Sequence, residues 1–243
     1  MLEEVGCEYA TEVLELDAMK SPDYLAVNPM GKVPAIRHGQ TVVTECAAIC
    51  AYLADAFPDA GLAPALDGRG AYYRWMFFAA GPVESAVTNR ALGFQVSEER
   101  KRMAGYGDFD DMYGVLIKAV SDASPYLCGD QFTAADVYLG AQVGWGLQFG
   151  SMPAHDALAT YWSRLDARPA WKRANELEDA AAAKLGLHIP KACGMGICGT
   201  CRVQKVSGED EMEHNGGITD EDVAEGFILS CCSVPNGDVV IDY

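Results

Sequence analysis

Apolar and polar residues alternate over residues 12–16 (EVLEL), and this period of two predicts a half-buried strand. VPAIR (33–37) and TVVT (41–44), on either side of His38-Gly39-Gln40, predict a hairpin. Over residues 45–57 the spacing turns helical, with Ile49, Leu53 and Phe57 on one stripe and Pro58 as the stop. Together these make a small α/β unit. From residue 65 to 186 no strand pattern appears, and helical spacing recurs over residues 72–92, 109–120, 134–147, 157–165 and 170–185, which predicts an all-helical domain. Thr133 and Asp136 fit a capping box flanked by Phe132 and Val137 as a hydrophobic staple, and Pro169 suits a first helical position. Trp145, Trp162 and Trp171 are expected to be core and interface aromatics. Beyond residue 186 glycine, cysteine and β-branched residues replace the alanine-rich helices. A third module is expected from Leu187, with strands over 203–208 and 239–243 and a solvated acidic loop over 209–225.

Half of the 243 residues are apolar, enough to bury a core in each of two or three units. The net charge of −17 argues against nucleic-acid backbones and anionic membranes, both of which require a cationic face. There is no apolar run long enough to span a bilayer, and MLEEVGCEY is acidic where a secretory leader is basic, so a cytoplasmic location is expected. Of the nine cysteines, Cys7, Cys46, Cys50 and Cys128 are scattered and read as small core hydrophobes. Cys193, Cys198, Cys201, Cys231 and Cys232 crowd the last quarter, and in a reducing compartment such crowding favours metal binding or redox chemistry over disulfides.

Cys193, Cys198 and Cys201 follow C-x4-C-x2-C, and Cys231 comes after 29 intervening residues. This is the plant-type spacing for a [2Fe–2S] cluster. Three thiolates from one tight loop need backbone to pass close to the metal group, which Gly194, Gly196 and Gly199 permit. A four-thiolate zinc site is also compatible with these residues, although zinc knuckles usually come in pairs. The G-x-G-x-x-G formed by residues 194–199 lacks the strand before it and the helix after it that dinucleotide binding requires. Cys198-Gly199-Thr200-Cys201 lacks the βαβ setting of a thioredoxin-like redox pair.

LHIPKACGMGICGTCRV and GFILSCCSVPNGDVVIDY resemble the second half of a plant-type ferredoxin module, of the kind attached to flavin-dependent oxygenase reductases. The resemblance implies a partial β-grasp fold, cluster ligation by Cys193, Cys198, Cys201 and Cys231 with Cys232 a bystander, and one-electron transfer at about −400 mV. It also implies a flavin reductase or another redox protein as partner. The helix and hairpin that open such a module are not recognisable before Cys193. Residues 177–185 are expected to stand in for the helix, and the strand at 239–243 to lack its central partner.

NPMGKVPAIRHGQTVVTECAAICAYLADAFPD (28–59) resembles the glutathione-binding half of a cytosolic glutathione S-transferase, and the likeness runs through the helical region to about residue 186. In that family Val33, before a cis Pro34, pairs its backbone with the cysteinyl part of glutathione. Glu45 and Cys46, the latter where serine is usual, hold the γ-glutamyl end. A helix N-terminus attracts carboxylate, and a carboxylate accepts from the ligand ammonium. The family's catalytic Tyr, Ser or Cys lies in a first strand that LEEVGCEY does not match, so conjugation is expected to be weak or absent and enzyme status stays open.

The expected architecture is therefore α+β and multi-module. It comprises a partial thioredoxin-like unit at 1–60, an all-helical transferase domain at 65–186 and a partial ferredoxin-like module at 187–243. The leading functional reading is electron transfer through a [2Fe–2S] cluster on a glutathione-binding, homodimeric scaffold. The alternative is a glutathione-binding protein whose cysteine-rich tail is a non-functional fusion.

Overall fold

The computed structural model describes residues 1–184, 201–214 and 216–242. They divide into two units, one of residues 1–144 and 153–174 and one of residues 145–152 and 175–243. Among the described residues no helix is long and apolar enough to cross a membrane.

The first unit opens with helix α1 (Leu2–Val5), whose Glu4 makes two hydrogen bonds with Arg168, at 2.9 and 2.7 Å, and whose Glu3 pairs with Arg173 at 2.9 Å. Residues 12–16 do not form the expected strand. Val13 and Leu16 are 57% and 79% exposed, and no neighbouring strand among the described residues offers the ladder an isolated alternation needs. Helix α2 (Pro22–Val27) follows, unforeseen because six residues are too few to show a period. Ser21 at its cap accepts the Tyr24 N–H at 3.3 Å with Pro22 at the first position, and that pair was the available signal.

Strands β1 (Ala35–His38) and β2 (Thr41–Thr44) form the expected hairpin, in register from Ala35 opposite Thr44 to His38 opposite Thr41. The connection is only Gly39-Gln40, and Gly39 alone takes positive φ, at +60°, as a type II′ turn requires. Helix α3 (Cys46–Ala56) buries Ile49, Cys50 and Leu53.

The single helix expected over 72–92 is α4 (Arg69–Phe78) and α5 (Glu84–Ala91), joined through a π-helical turn at Ala79–Val83. Pro82 lies in that turn, where its missing N–H forces the wider hydrogen-bond pattern. Gln142 Nε2 donates to the Ala79 carbonyl at 3.2 Å. Helices α6 (Phe109–Asp122), α7 (Ala134–Gln148), α8 (Asp156–Asp166) and α9 (Pro169–Lys184) match the periodic reading within two residues at each end. Met112, Leu116, Leu139, Val143, Leu158 and Tyr161 fill the core between them. Trp162 and Trp171 meet edge to face at 4.9 Å, whereas Trp145 is 60% exposed against Phe149 rather than in the core.

Half of the capping box at α7 holds as expected: Asp136 accepts the Thr133 N–H at 3.0 Å. The other half differs, since the Thr133 hydroxyl donates to the same carboxylate at 3.1 Å while the Asp136 N–H goes to the Thr133 carbonyl. The fully buried Asp136 also accepts from the Leu127 N–H and the Tyr161 hydroxyl, each at 2.9 Å. Burial raises its pKa above the usual carboxylate value, against the pull of these four donors.

The second unit holds β3 (Arg202–Met212), α10 (Asp220–Ala224), β4 (Phe227–Leu229) and β5 (Ser233–Asp242) in an antiparallel sheet ordered β4-β3-β5. The acidic stretch is thus not one loop. Glu209 to Met212 extend β3 because β5 lies opposite them, and Thr219 with Asp222 makes a complete capping box for α10. The C-terminal strand expected to lack a partner is paired with β3, from Gln204 opposite Asp242 to Met212 opposite Ser233.

Replacing Asp136 by Ala strands four buried donors, the Leu127 and Thr133 N–H groups and the Thr133 and Tyr161 hydroxyls, and should cost on the order of 3 kcal/mol. Tyr161→Phe should cost about 1 kcal/mol. Urea unfolding followed by tryptophan fluorescence measures both, and equal losses would remove Asp136 as the hub.

Candidate functional site

The two candidate sites fall in different units. In the first, the hairpin register places residues 33–34 and 45–46 side by side at its open end, since Ala35 pairs with Thr44. The Val33–Pro34 bond is cis. Tyr24 and Asn28, which sequence reasoning missed, fix the approach to it: the Tyr24 hydroxyl and Asn28 Nδ2 each donate to the Lys32 carbonyl at 2.7 Å. Asn28 Oδ1 in turn accepts the Met30 N–H at 3.1 Å. Gly31 takes φ +58°, and a Cβ there would lie 2.7 Å from the Met19 carbonyl oxygen, so only glycine fits. The Asn28-Pro29 dipeptide was the turn signal available in the sequence.

Glu45 caps α3 with φ +69° and ψ 120°, the one positive φ outside glycine among the described residues. A side-chain-bearing residue in this region stores about 1–3 kcal/mol, and such outliers gather at ligand clamps. Val33, Pro34, Glu45 and Cys46 are all exposed, so the corner presents a cap carboxylate, a thiol and free strand-end backbone to solvent. Burial raises the Cys46 pKa, and the Glu84 and Glu45 carboxylates raise it further. The deeper Cys50 thiol is pushed up to about 12 by burial. Neither is an activated thiolate; Cys50 is buried as the packing role expected for both requires, whereas Cys46 is exposed at the start of α3, outside the core.

In the second unit, pairing of Arg202 with Leu229 sets Cys201 against residues 230–231. Ser230 donates both its N–H, at 3.1 Å, and its hydroxyl, at 3.2 Å, to the Cys201 carbonyl. Cys201 (2% exposed), Ile218 and Leu229 form a buried cluster, and Met212, Phe227, Cys231 and Cys232 pack against it. Two of the four sequence-predicted ligands are therefore brought together from positions 30 apart. Cys193 and Cys198 lie outside the described residues. Two thiols at an apolar cluster, one buried and one partly buried, with hydrogen-bonded backbone beside them, are donors of the kind that a thiolate-ligated metal group takes, so the residues present fit the cluster their spacing implies. The Cys232 thiol donates instead to the Leu229 carbonyl at 3.7 Å.

Comparison with known proteins agrees with both halves. The family model for the glutathione S-transferase N-terminal domain matches residues 1–56, and that for the 2Fe-2S iron-sulfur cluster binding domain matches residues 171–236. A beta-class glutathione S-transferase from Sphingomonas chungbukensis is 31% identical with a TM-score of 0.59, over 73% of this chain and 90% of that one. A sphingomonad glutathione S-transferase complexed with glutathione is 29% identical with a TM-score of 0.58, over the same shares. The glycine betaine monooxygenase reductase subunit of Pseudomonas aeruginosa is 85% identical over 68 residues, 28% of this chain but only 19% of that protein. The chain belongs to the glutathione S-transferase family over most of its length and carries a 2Fe-2S iron-sulfur cluster binding domain after it. It spans about a fifth of the reductase subunits it matches.

Because its pKa is raised, Cys46 should hold a smaller thiolate fraction near pH 8 than an ordinary thiol, and its alkylation should keep accelerating above pH 9. Glu84→Gln removes one negative neighbour and should speed alkylation at fixed pH. Peptide mass spectrometry after timed iodoacetamide treatment reads both, and a rate that levels below pH 9 contradicts the assignment.

Proposed function

We propose that this protein carries single electrons through a [2Fe–2S] cluster held by Cys193, Cys198, Cys201 and Cys231, on a glutathione-binding scaffold. The observation that carries this reading is the meeting of the buried Cys201 and the partly buried Cys231 at one apolar cluster. When bound, the cluster supplies reversible one-electron oxidation and reduction. The chain's own residues do the rest. Phe227, Leu229 and Ile218 exclude water, Ser230 holds the Cys201 segment, and the Cys232 thiol donates to the Leu229 carbonyl. Domain limits near 1–60, 65–186 and 187–243 go with this reading, although the iron-sulfur family model begins earlier, at residue 171.

The electron partner belongs, on this reading, to the oxygenase–reductase class. At 85% identity the module presents almost the same surface as the reductase subunit of glycine betaine monooxygenase, and a flavin reductase or another redox protein is the natural donor. Arg202 and Lys205 are taken up by Asp222 and Asp210, and residues 206–243 contain no lysine or arginine, which favours a basic partner. Glutathione would sit at Val33, Pro34, Glu45 and Cys46, with its γ-glutamyl ammonium on Glu45. The glutathione complex of the sphingomonad relative and the strained Glu45 backbone both support that placement. A second copy is expected to cover the exposed Tyr73 and Phe77 on α4, giving a homodimer.

Anaerobically prepared protein should contain about two iron and two acid-labile sulfide per chain and absorb between about 400 and 550 nm. Cys231→Ser should abolish both, and Cys232→Ser should keep both. Colourless, iron-free protein would leave only the glutathione-binding reading. Glu45→Ala should weaken glutathione binding by roughly tenfold or more in calorimetry, and an unchanged affinity would take Glu45 out of the site.

A further inference from the structure

The Leu229 amide makes an uncommon hydrogen bond: its N–H donates to the Met212 Sδ at 3.2 Å. Leu229 is fully buried, and a buried amide needs an acceptor. Met212 is half-buried and packs against the same cluster as Cys201, Leu229, Cys231 and Cys232. Its place follows from β3, which pairs it with Ser233, two residues past Cys231, while the next residue, Glu213, donates its N–H to the Cys232 carbonyl at 3.2 Å. The end of one strand thus grips the 229–233 segment at two points, one through a peptide bond and one through a thioether.

We propose that Met212 keeps the reduction potential of this site low by withholding the Leu229 N–H from the cluster sulfurs. The inference rests on the reading that Cys201 and Cys231 bind a [2Fe–2S] group. An N–H donated to a cluster sulfur favours the reduced, more negative state and raises the potential. A thioether is a weak, neutral acceptor, and Leu229 shares one packed cluster with Cys201 and Cys231, so its amide, once released, has charged sulfur as the stronger acceptor. Met212 occupies that amide and supplies apolar cover at the same time.

Met212→Leu retains the volume and removes the acceptor. Its midpoint potential should be more positive than wild type, with iron and sulfide content unchanged. Met212→Gln, which offers Leu229 a carbonyl oxygen at similar reach, should lie nearer wild type than Met212→Leu. An unchanged or more negative potential in iron-replete Met212→Leu, or the reverse order of the two variants, overturns the proposal. The second measurement is amide hydrogen exchange on the full chain, whatever its iron content. Exchange at Leu229 should be roughly tenfold faster in Met212→Leu, and exchange at Ser230, bonded to the Cys201 carbonyl, unchanged. Equal acceleration at both amides means that Met212 only packs, and the proposal fails. Wild-type protein without iron would defeat the electron-transfer reading itself, and the Leu229 exchange would then still report on the hydrogen bond.

Discussion

Antiparallel pairing of β3 with β4 is the constraint on which the second unit depends. Closing the 29-residue span between Cys201 and Cys231 costs about 3 kcal/mol of chain entropy before any metal contributes. Three cross-strand pairs, from Arg202 opposite Leu229 to Gln204 opposite Phe227, together with burial of Leu229 and Ile218, offset that cost. The two hydrogen bonds from Ser230 to the Cys201 carbonyl and the one from Leu229 to Met212 then tie down the backbone beside both cysteines. Segments preorganised in this way give up little further freedom on taking a ligand.

The first unit shows the same economy around a single carboxylate. Asp136 joins the start of α7 to Leu127 and to Tyr161 on α8, so three segments share one buried charge with four donors. A buried carboxylate is costly alone and rigid when fully bonded. At α3 the cap residue Glu45 sits in a strained conformation that the hairpin on one side and the helix on the other must hold. Tyr24 and Asn28 perform the equivalent service for the facing turn, by gripping one carbonyl from two directions.

Long periodic segments were legible in the sequence. Helices α6 to α9 carry their boundaries in apolar spacing and, for α7 and α9, in residues such as Thr133 and Pro169, because a helix is made of contacts within one stretch of chain. Short elements were not. The strand read into residues 12–16 satisfied a local alternation that no ladder completes, while Glu209 to Met212 looked like loop and became strand because β5 lies beside them. The tryptophans show a related limit: helical spacing shows that a residue shares a face, and only the packed neighbours decide that Trp162 is covered by Trp171 while Trp145 stays exposed.

The sequence by itself determined the chemistry on offer: the thiol spacing, the Val33-Pro34 turn, the acid before α3 and the cap of α7 are local patterns with local causes. Tertiary structure alone decided which of those groups meet. The convergence of Cys201 with Cys231, the Asn28 and Tyr24 grip on Lys32, and the Met212 acceptor for Leu229 all join residues through strand register or loop closure, to which a one-dimensional pattern is blind. Local energy fixes what each segment prefers, and the burial of distant segments against one another fixes what they do together.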